Sequence, residues 1–123
     1  MSENELATLA IGCGLNVHKA LGPGLLENAY LECLAYELGK LQLKVDKQKA
    51  IPLIYDGVKL EVGYRADLVV EEKLIIELKA VESLTDVHLA QLLTYLRLAN
   101  CKLGILMNFN TLLFRDGVRR VIL

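Results

Sequence analysis

Apolar residues recur at helical spacing in two stretches of the N-terminal third of the chain. Ser2 and Glu5 have the spacing of a capping box at the start of the first stretch. Its apolar positions are Leu6, Leu9, Ala10, Cys13, Val17 and Ala20-Leu21. Gly22-Pro23-Gly24 ends that stretch, and a second periodic stretch follows from about Leu25 to Leu41. The pattern therefore predicts two helices.

The spacing of apolar residues changes to period two at Val45, which is typical of strands. Val45 to Ile51 predicts an edge strand, because Pro52 cannot donate a hydrogen bond to a neighbouring strand. Leu53 to Tyr55 is expected to continue it, and Asp56-Gly57 predicts a tight hairpin turn. The next strand is expected to run from Val58 to Val70 with a bend at its glycine.

The following segments alternate between strand and helix patterns. Lys73 to Lys79 predicts a strand, and Thr85 is suited to cap a helix from Asp86 to Leu98 or Ala99. The nearly continuous apolar run from Lys102 to Phe109 predicts a strand that is buried on both faces. Because the joins are short, a right-handed crossover should make the two strands parallel.

Two apolar segments, Leu112 to Phe114 and Val118 to Leu123, flank Asp116-Gly117 and predict a closing hairpin. The whole pattern predicts an α/β (mixed α+β) fold of element order ααβββαβ plus a C-terminal hairpin. No repeat or linker interrupts it, so residues 1–123 are expected to form a single domain.

Composition narrows the functional classes. Of the 123 residues 54% are apolar, which suits a well-filled core and a surface shared with a second copy or a partner protein. The net charge of −1 argues against a large phosphate-binding surface, although acidic metal ligands would offset basic contacts. Three scattered cysteines predict free thiols, and neither a signal peptide nor a membrane-spanning segment is visible. The chain is therefore expected to be cytoplasmic and to have no membrane partner.

Carboxylates interrupt two neighbouring apolar strands. If the odd-length loop Glu71–Lys73 joins these strands, Asp67 lies opposite Glu77 and Lys79 shares their face. An even-length loop would separate the two carboxylates onto opposite faces, and we favour the odd loop. Two carboxylates beside a lysine favour a divalent cation with a water held next to it. The ordinary alternative is the solvated face of an edge strand, with Asp67 paired to Arg65.

Other polar residues are candidates to join this site. Glu27 lies one turn before inward-facing positions of the second helix, where it could equally be a favourable N-terminal charge. His88, Gln91 and Tyr95 form a polar line on the third helix that faces either the sheet or solvent. Near the C-terminus, a cluster of arginines suggests a solvated sheet edge more than a phosphate contact: Arg115, Arg119 and Arg120.

The segment Gly24 to Tyr30 matches the signature of the bacterial GxxExxY family. Further segments follow the order of that family: Tyr64-Arg65-Ala66-Asp67, Glu77 to Glu82, His88 to Leu96 and Asn108-Phe109. The chain therefore resembles the GxxExxY proteins, a compact branch of the PD-(D/E)xK, restriction-endonuclease-like superfamily. One departure is Ala66, which stands where the superfamily pattern has proline.

The resemblance implies a mixed central sheet flanked by helices, and a nuclease that uses Mg²⁺, with Mn²⁺ as the alternative ion. It implies that Asp67, Glu77 and Glu27 are metal ligands, and that Lys79 and Gln91 complete the catalytic set. The substrate would be nucleic acid, with DNA favoured over RNA. Its proposed contacts are Arg65, Tyr95, His88 and Tyr30.

Two other readings of the sequence remain open at this stage. The chain could be a catalytically inactive module that binds nucleic acid or assembles with proteins while retaining a nuclease-like site. It could also be a structural domain whose carboxylates form salt bridges. Metal binding separates the nuclease from the structural domain, and metal-dependent cleavage separates it from the inactive module.

Overall fold

A five-stranded mixed sheet lies between two helices on one face and a third helix on the other in the computed structural model, which describes residues 1–123. The helices are α1 (Glu3–Leu21), α2 (Glu27–Lys40) and α3 (Asp86–Ala99). The strands are β1 (Val45–Ala50), β2 (Leu53–Tyr55), β3 (Val58–Leu60), β4 (Arg65–Val70), β5 (Leu74–Lys79), β6 (Leu103–Asn108) and β7 (Val118–Ile122). A short 3-10 helix, Phe114–Gly117, precedes β7.

The sheet has the strand order β1-β4-β5-β6-β7. Strand β5 pairs antiparallel with β4 and parallel with β6, so the predicted parallel pair and the mixed α+β fold are confirmed. Every residue of β6 is buried, because α1 and α2 cover one face of the sheet and α3 covers the other. The predicted edge position of β1 is also confirmed.

The helix boundaries follow the local signals. The Ser2 hydroxyl accepts a hydrogen bond from the Glu5 N–H, and the Glu5 carboxylate accepts one from the Ser2 N–H, which is the predicted capping box. Thr85 caps α3, which ends at Asn100 in the left-handed conformation with φ 57°. No helix is both long and apolar enough to cross a membrane.

The prediction of one continuous strand after Val58 was wrong. Strands β2 and β3 form a separate two-stranded sheet, and the chain leaves it through Gly63 at φ +84° before β4 begins. The turn itself is as predicted, since Asp56 and Gly57 both have positive φ, at 52° and 74°. The expectation that Leu53 to Tyr55 continues β1 was also wrong, because β1 ends at Ala50 and β2 belongs to the other sheet. Pro52 between them has no N–H to donate to the sheet.

The C-terminal hairpin also differs from its prediction. Its two arms are β6 and β7, which pair from Leu103–Ile122 to Met107–Val118. Leu112 to Phe114 forms no strand, because the Phe114 ring lies in the core at 5.3 Å from the ring of Phe109. Burial of this ring turns the preceding segment away from the sheet.

Candidate active site

The register of β4 and β5 brings two carboxylates together. The strands are joined by the three residues Glu71–Lys73, and their backbone pairing ends at Leu68–Ile76. The next residues in the same register are Asp67 and Glu77, and the Asp67 N–H donates to the Glu77 carboxylate. The odd-length loop is therefore confirmed. Glu71 and Glu72 adopt positive φ values of 53° and 58°. A pair of glutamates does not predict this conformation, because residues other than glycine rarely adopt it.

Side chains replace the backbone ladder at this end of the strand pair. The Asp67 N–H donates to Glu77 Oε2 at 2.8 Å, and the Leu78 N–H donates to Asp67 Oδ2 at 2.8 Å. The second oxygen of each carboxylate has no hydrogen bond from the protein. Each side chain is thus held in place by one oxygen and keeps the other available to a ligand.

The electrostatic environment of Glu77 is unfavourable to its ionised form. Glu77 is only 4% exposed, and this burial raises its pKa to about 9. The nearby Asp67 carboxylate adds to the increase in pKa. The charge of Lys79 acts in the opposite direction without reversing it. Burial also raises the pKa of Tyr95, and the charges of Glu77 and Asp67 add to that shift. Without a cation, burial and the Asp67 charge therefore favour the protonated form of Glu77 at neutral pH.

This protonation predicts a pH-dependent stability. The pKa of Glu77 rises from an ordinary 4.5 to about 9 on folding, so the unfolded chain releases a proton that the native state keeps. The contribution of Glu77 to the free energy of unfolding is complete below pH 4.5 and is lost as the pH rises towards 9. The free energy of unfolding in EDTA should fall by up to about 1.4 kcal/mol per pH unit across this window.

Urea denaturation at several pH values measures this slope. The control is Glu77→Gln, which has no ionisable group at that position and should show a flatter profile. Asp67, Lys79 and Tyr95 remain in both proteins, so the difference between the profiles reports the Glu77 carboxyl together with its electrostatic coupling to Asp67. Identical slopes in the two proteins would contradict the prediction.

Lys79 and Arg65 lie at the ends of the two strands. Lys79 follows buried Leu78, so strand alternation places it on the face of Glu77, and its half-buried side chain forms no salt bridge. Arg65 is the exposed first residue of β4. Both cations are therefore unpaired within the protein and free to meet an anionic ligand.

Sequence analysis did not identify the role of Asn108. This buried residue pairs with Lys79 in the β5–β6 register, and its Oδ1 accepts hydrogen bonds from the N–H groups of Val81 and Asn110 at 3.1 and 3.2 Å. Its Nδ2 donates to the Val81 carbonyl at 2.9 Å. Asn108 therefore fixes the backbone just after Lys79. The signals for it in the sequence are an amide at the end of an apolar run and its place in the family pattern.

The polar line on α3 divides between two roles. Tyr95 is buried beside the carboxylates, and Gln91 is exposed on the rim of a pocket that Tyr95 also lines. His88 instead completes the cap of α3, because the Thr85 N–H donates to His88 Nδ1 at 3.0 Å. The cap accounts for His88 without a substrate.

The structure explains two parts of the GxxExxY segment through local packing. The Tyr30 hydroxyl donates to the Gly22 carbonyl at 2.6 Å and accepts a hydrogen bond from the Leu25 N–H at 3.1 Å. Its buried ring stacks on Phe109 with centroids 4.4 Å apart, and Gly24 has φ +102°. Tyr30 thus anchors the entry to α2, and its buried side chain offers no surface to a substrate.

The structure does not bring Glu27 into the carboxylate pair. Glu27 is the exposed first residue of α2, and its side chain forms no hydrogen bond or salt bridge. Helix α2 packs against the face of the sheet opposite to α3. No group of three or more His, Cys, Asp or Glu side chains is arranged to hold a metal ion.

The donor set still fits a hard cation with few protein ligands. Asp67 and Glu77 each offer one carboxylate oxygen without a hydrogen-bond partner, and carboxylate oxygens are the ligands that Mg²⁺ prefers. Mg²⁺ usually keeps several waters and binds through one or two carboxylates and a substrate phosphate. Two adjacent carboxylates therefore supply as many protein ligands as such a Mg²⁺ site usually has.

The comparison with protein families agrees with this arrangement. A sequence-family model described as PD-(D/E)XK nuclease superfamily matches residues 4–121, which is almost the whole chain. Searches of curated proteins and of solved structures found no significant match. The matched range includes both carboxylates, the lysine after them and the helix that covers them, and the chain therefore belongs to the PD-(D/E)XK nuclease superfamily.

Proposed function

We propose that this protein is a Mg²⁺-dependent nuclease of the GxxExxY branch that hydrolyses phosphodiester bonds, with DNA favoured over RNA. The observation that supports this most directly is the Asp67–Glu77 pair, which is fixed by reciprocal hydrogen bonds to backbone N–H groups. A structural salt bridge would place a cation of the protein between such groups, and none is present.

A divalent ion is the partner that makes this pair stable in its ionised form. Asp67 and Glu77 would hold Mg²⁺ or Mn²⁺, and the ion would neutralise phosphate charge and lower the pKa of an attacking water. Glu27 is a further proposed ligand, on the resemblance to the GxxExxY proteins. Because Glu27 lies outside the carboxylate pair, it would bind a second ion or a water held by the first.

Lys79 is the proposed residue that positions the attacking water and takes part in its deprotonation. It lies on the face of Glu77, and no carboxylate of the protein holds its ammonium group in a salt bridge. Asn108 holds the backbone beside it through Val81. This support limits the movement of Lys79 relative to the carboxylates, which a reaction in a fixed geometry requires.

The remaining proposed contacts surround this centre. Arg65 would bind a phosphate of the substrate, since its guanidinium is exposed at the end of β4 and can donate two parallel hydrogen bonds. Gln91 would orient Lys79 or donate to substrate, and Tyr95 would contact the substrate next to the carboxylates.

Incubation of the purified protein with single-stranded DNA, duplex DNA and RNA tests the proposal. We expect phosphodiester cleavage in Mg²⁺ or Mn²⁺ that EDTA stops, with faster cleavage of DNA than of RNA. Binding of these substrates without metal-dependent cleavage would contradict a nuclease and support the inactive module. A preparation of Glu77→Gln purified in parallel controls for contaminating nucleases.

A further inference from the structure

A pocket of about 260 Å³ lies between the start of β4 and the exposed side of α3. Its lining residues are Tyr64, Val87, Ala90, Gln91, Thr94 and Tyr95. The rings of Tyr64 and Tyr95 lie 5.9 Å apart at an angle of 51° and form a corner. Tyr64 is 40% exposed, so the open face of its ring is available to a flat ligand.

No charged side chain lines this pocket. The Thr94 hydroxyl donates to the Ala90 carbonyl at 3.1 Å, whereas the Gln91 amide and the Tyr64 hydroxyl form no hydrogen bond with the protein. An amide supplies both donors and an acceptor. The pocket therefore suits a neutral, flat molecule with polar edges, and it is poorly suited to a phosphate.

Tyr95 connects the pocket to the carboxylates. The charges of Glu77 and Asp67 act on its phenol, while its ring forms one wall of the pocket. Neither carboxylate lines the pocket, but Tyr64 stands three residues before Asp67 at the start of β4, so a ligand on Tyr64 that extends along β4 reaches towards the carboxylate pair. A nucleotide has this arrangement, because a flat neutral base is joined through the sugar to a charged phosphate.

We propose that this pocket binds an unpaired nucleobase, with stacking on Tyr64 and hydrogen bonds to Gln91, and so directs the enzyme to single-stranded DNA. This inference rests on the proposed nuclease function, because it names the substrate of the same site. The faces of bases in a duplex are covered by their neighbours, so only an unpaired or extruded base can stack on a tyrosine.

Fluorescence anisotropy with labelled oligonucleotides tests the pocket separately from cleavage. Single-stranded and duplex DNA of equal length are titrated in Mg²⁺ with the Lys79→Met variant, so that cleavage is too slow to disturb the measurement. Tyr64→Ala in this background should weaken single-strand binding about tenfold, the loss expected from one base–aromatic stack, and leave duplex binding within twofold. Tyr64→Phe should keep the single-strand affinity.

Tyr36→Ala is the matched control, because Tyr36 is an exposed tyrosine on α2 outside this pocket. Val87→Glu supplies a second variant, since Val87 is 76% exposed in the first turn of α3, where a carboxylate is tolerated. It should also weaken single-strand binding selectively. An unchanged single-strand affinity in folded Tyr64→Ala, or an equal loss on both DNAs, would overturn the inference.

The two proposals fail in distinguishable ways. If selective single-strand binding depends on Tyr64 but the wild-type protein cleaves nothing, the pocket assignment stands and the nuclease function is wrong. If the wild-type protein cleaves DNA in Mg²⁺ while Tyr64→Ala binds both DNAs normally, the nuclease function stands and the pocket assignment is wrong.

Discussion

Glu77→Gln is expected to abolish saturable Mg²⁺ and Mn²⁺ binding and to lower metal-dependent cleavage by more than about 100-fold, the upper range seen when residues that only support a metal ligand are changed. The fold should remain intact. Glutamine resembles the protonated glutamate that burial favours in the metal-free protein, and its oxygen can still accept the Asp67 N–H. It cannot supply the negative charge that a divalent cation requires.

Isothermal titration of Mg²⁺ and Mn²⁺ into the two proteins measures the binding, and urea denaturation measures the stability. Asp67→Asn should give the same loss, since Asp67 supplies the other available carboxylate oxygen. Glu61→Gln changes an exposed carboxylate outside the site and should bind the ions as the wild type does. Retained metal binding in Glu77→Gln, or unfolding of both site variants, would count against a built metal site.

Lys79→Met should lose between about 100-fold and 10,000-fold in cleavage rate while keeping its affinity for Mg²⁺. Positioned groups that transfer a proton contribute rate factors of this size, and methionine retains most of the apolar stem of the half-buried lysine. Lys79 is a proposed contact of the water and phosphate and no proposed ligand of the ion. Loss of the Lys79 ammonium should therefore lower the cleavage rate without changing the affinity for Mg²⁺.

Single-turnover cleavage assays and the same metal titration distinguish these effects. Lys59→Met is the matched control, because Lys59 is an exposed strand lysine in the β2–β3 hairpin. It should cleave at the wild-type rate. A Lys79→Met protein that cleaves normally would remove Lys79 from the mechanism, and one that no longer binds Mg²⁺ would show that the variant damaged the site as a whole.

Local signals predicted most of the helices and strands correctly. Capping residues at Ser2 and Thr85 and the alternation around β5 depend on neighbours within a few positions, so they are readable along the chain. The segments that were predicted wrongly depend on distant contacts. Phe114 leaves its expected strand because Phe109 and the core accommodate its ring.

Predicting that Asp67 lies opposite Glu77 required the length of the loop between β4 and β5, which the residue types did not determine. The parity of the Glu71–Lys73 loop decides whether the carboxylates share a face, and glutamates give no local sign of the positive φ values that this loop adopts. The resemblance identified the same two residues. The structure then showed how their side chains are held.

The sequence by itself determined the element types, the placement of carboxylates and a lysine on adjacent strands, and the family pattern, because each depends on residue identity and short-range spacing. Tertiary structure alone decided the surroundings of the other polar residues. It buried Tyr30 in a hydrogen-bonded anchor, used His88 as a cap and left Glu27 exposed. It also enclosed Glu77 between the sheet and α3, and that burial, together with the charge of Asp67, raises the pKa of Glu77 in the absence of a cation.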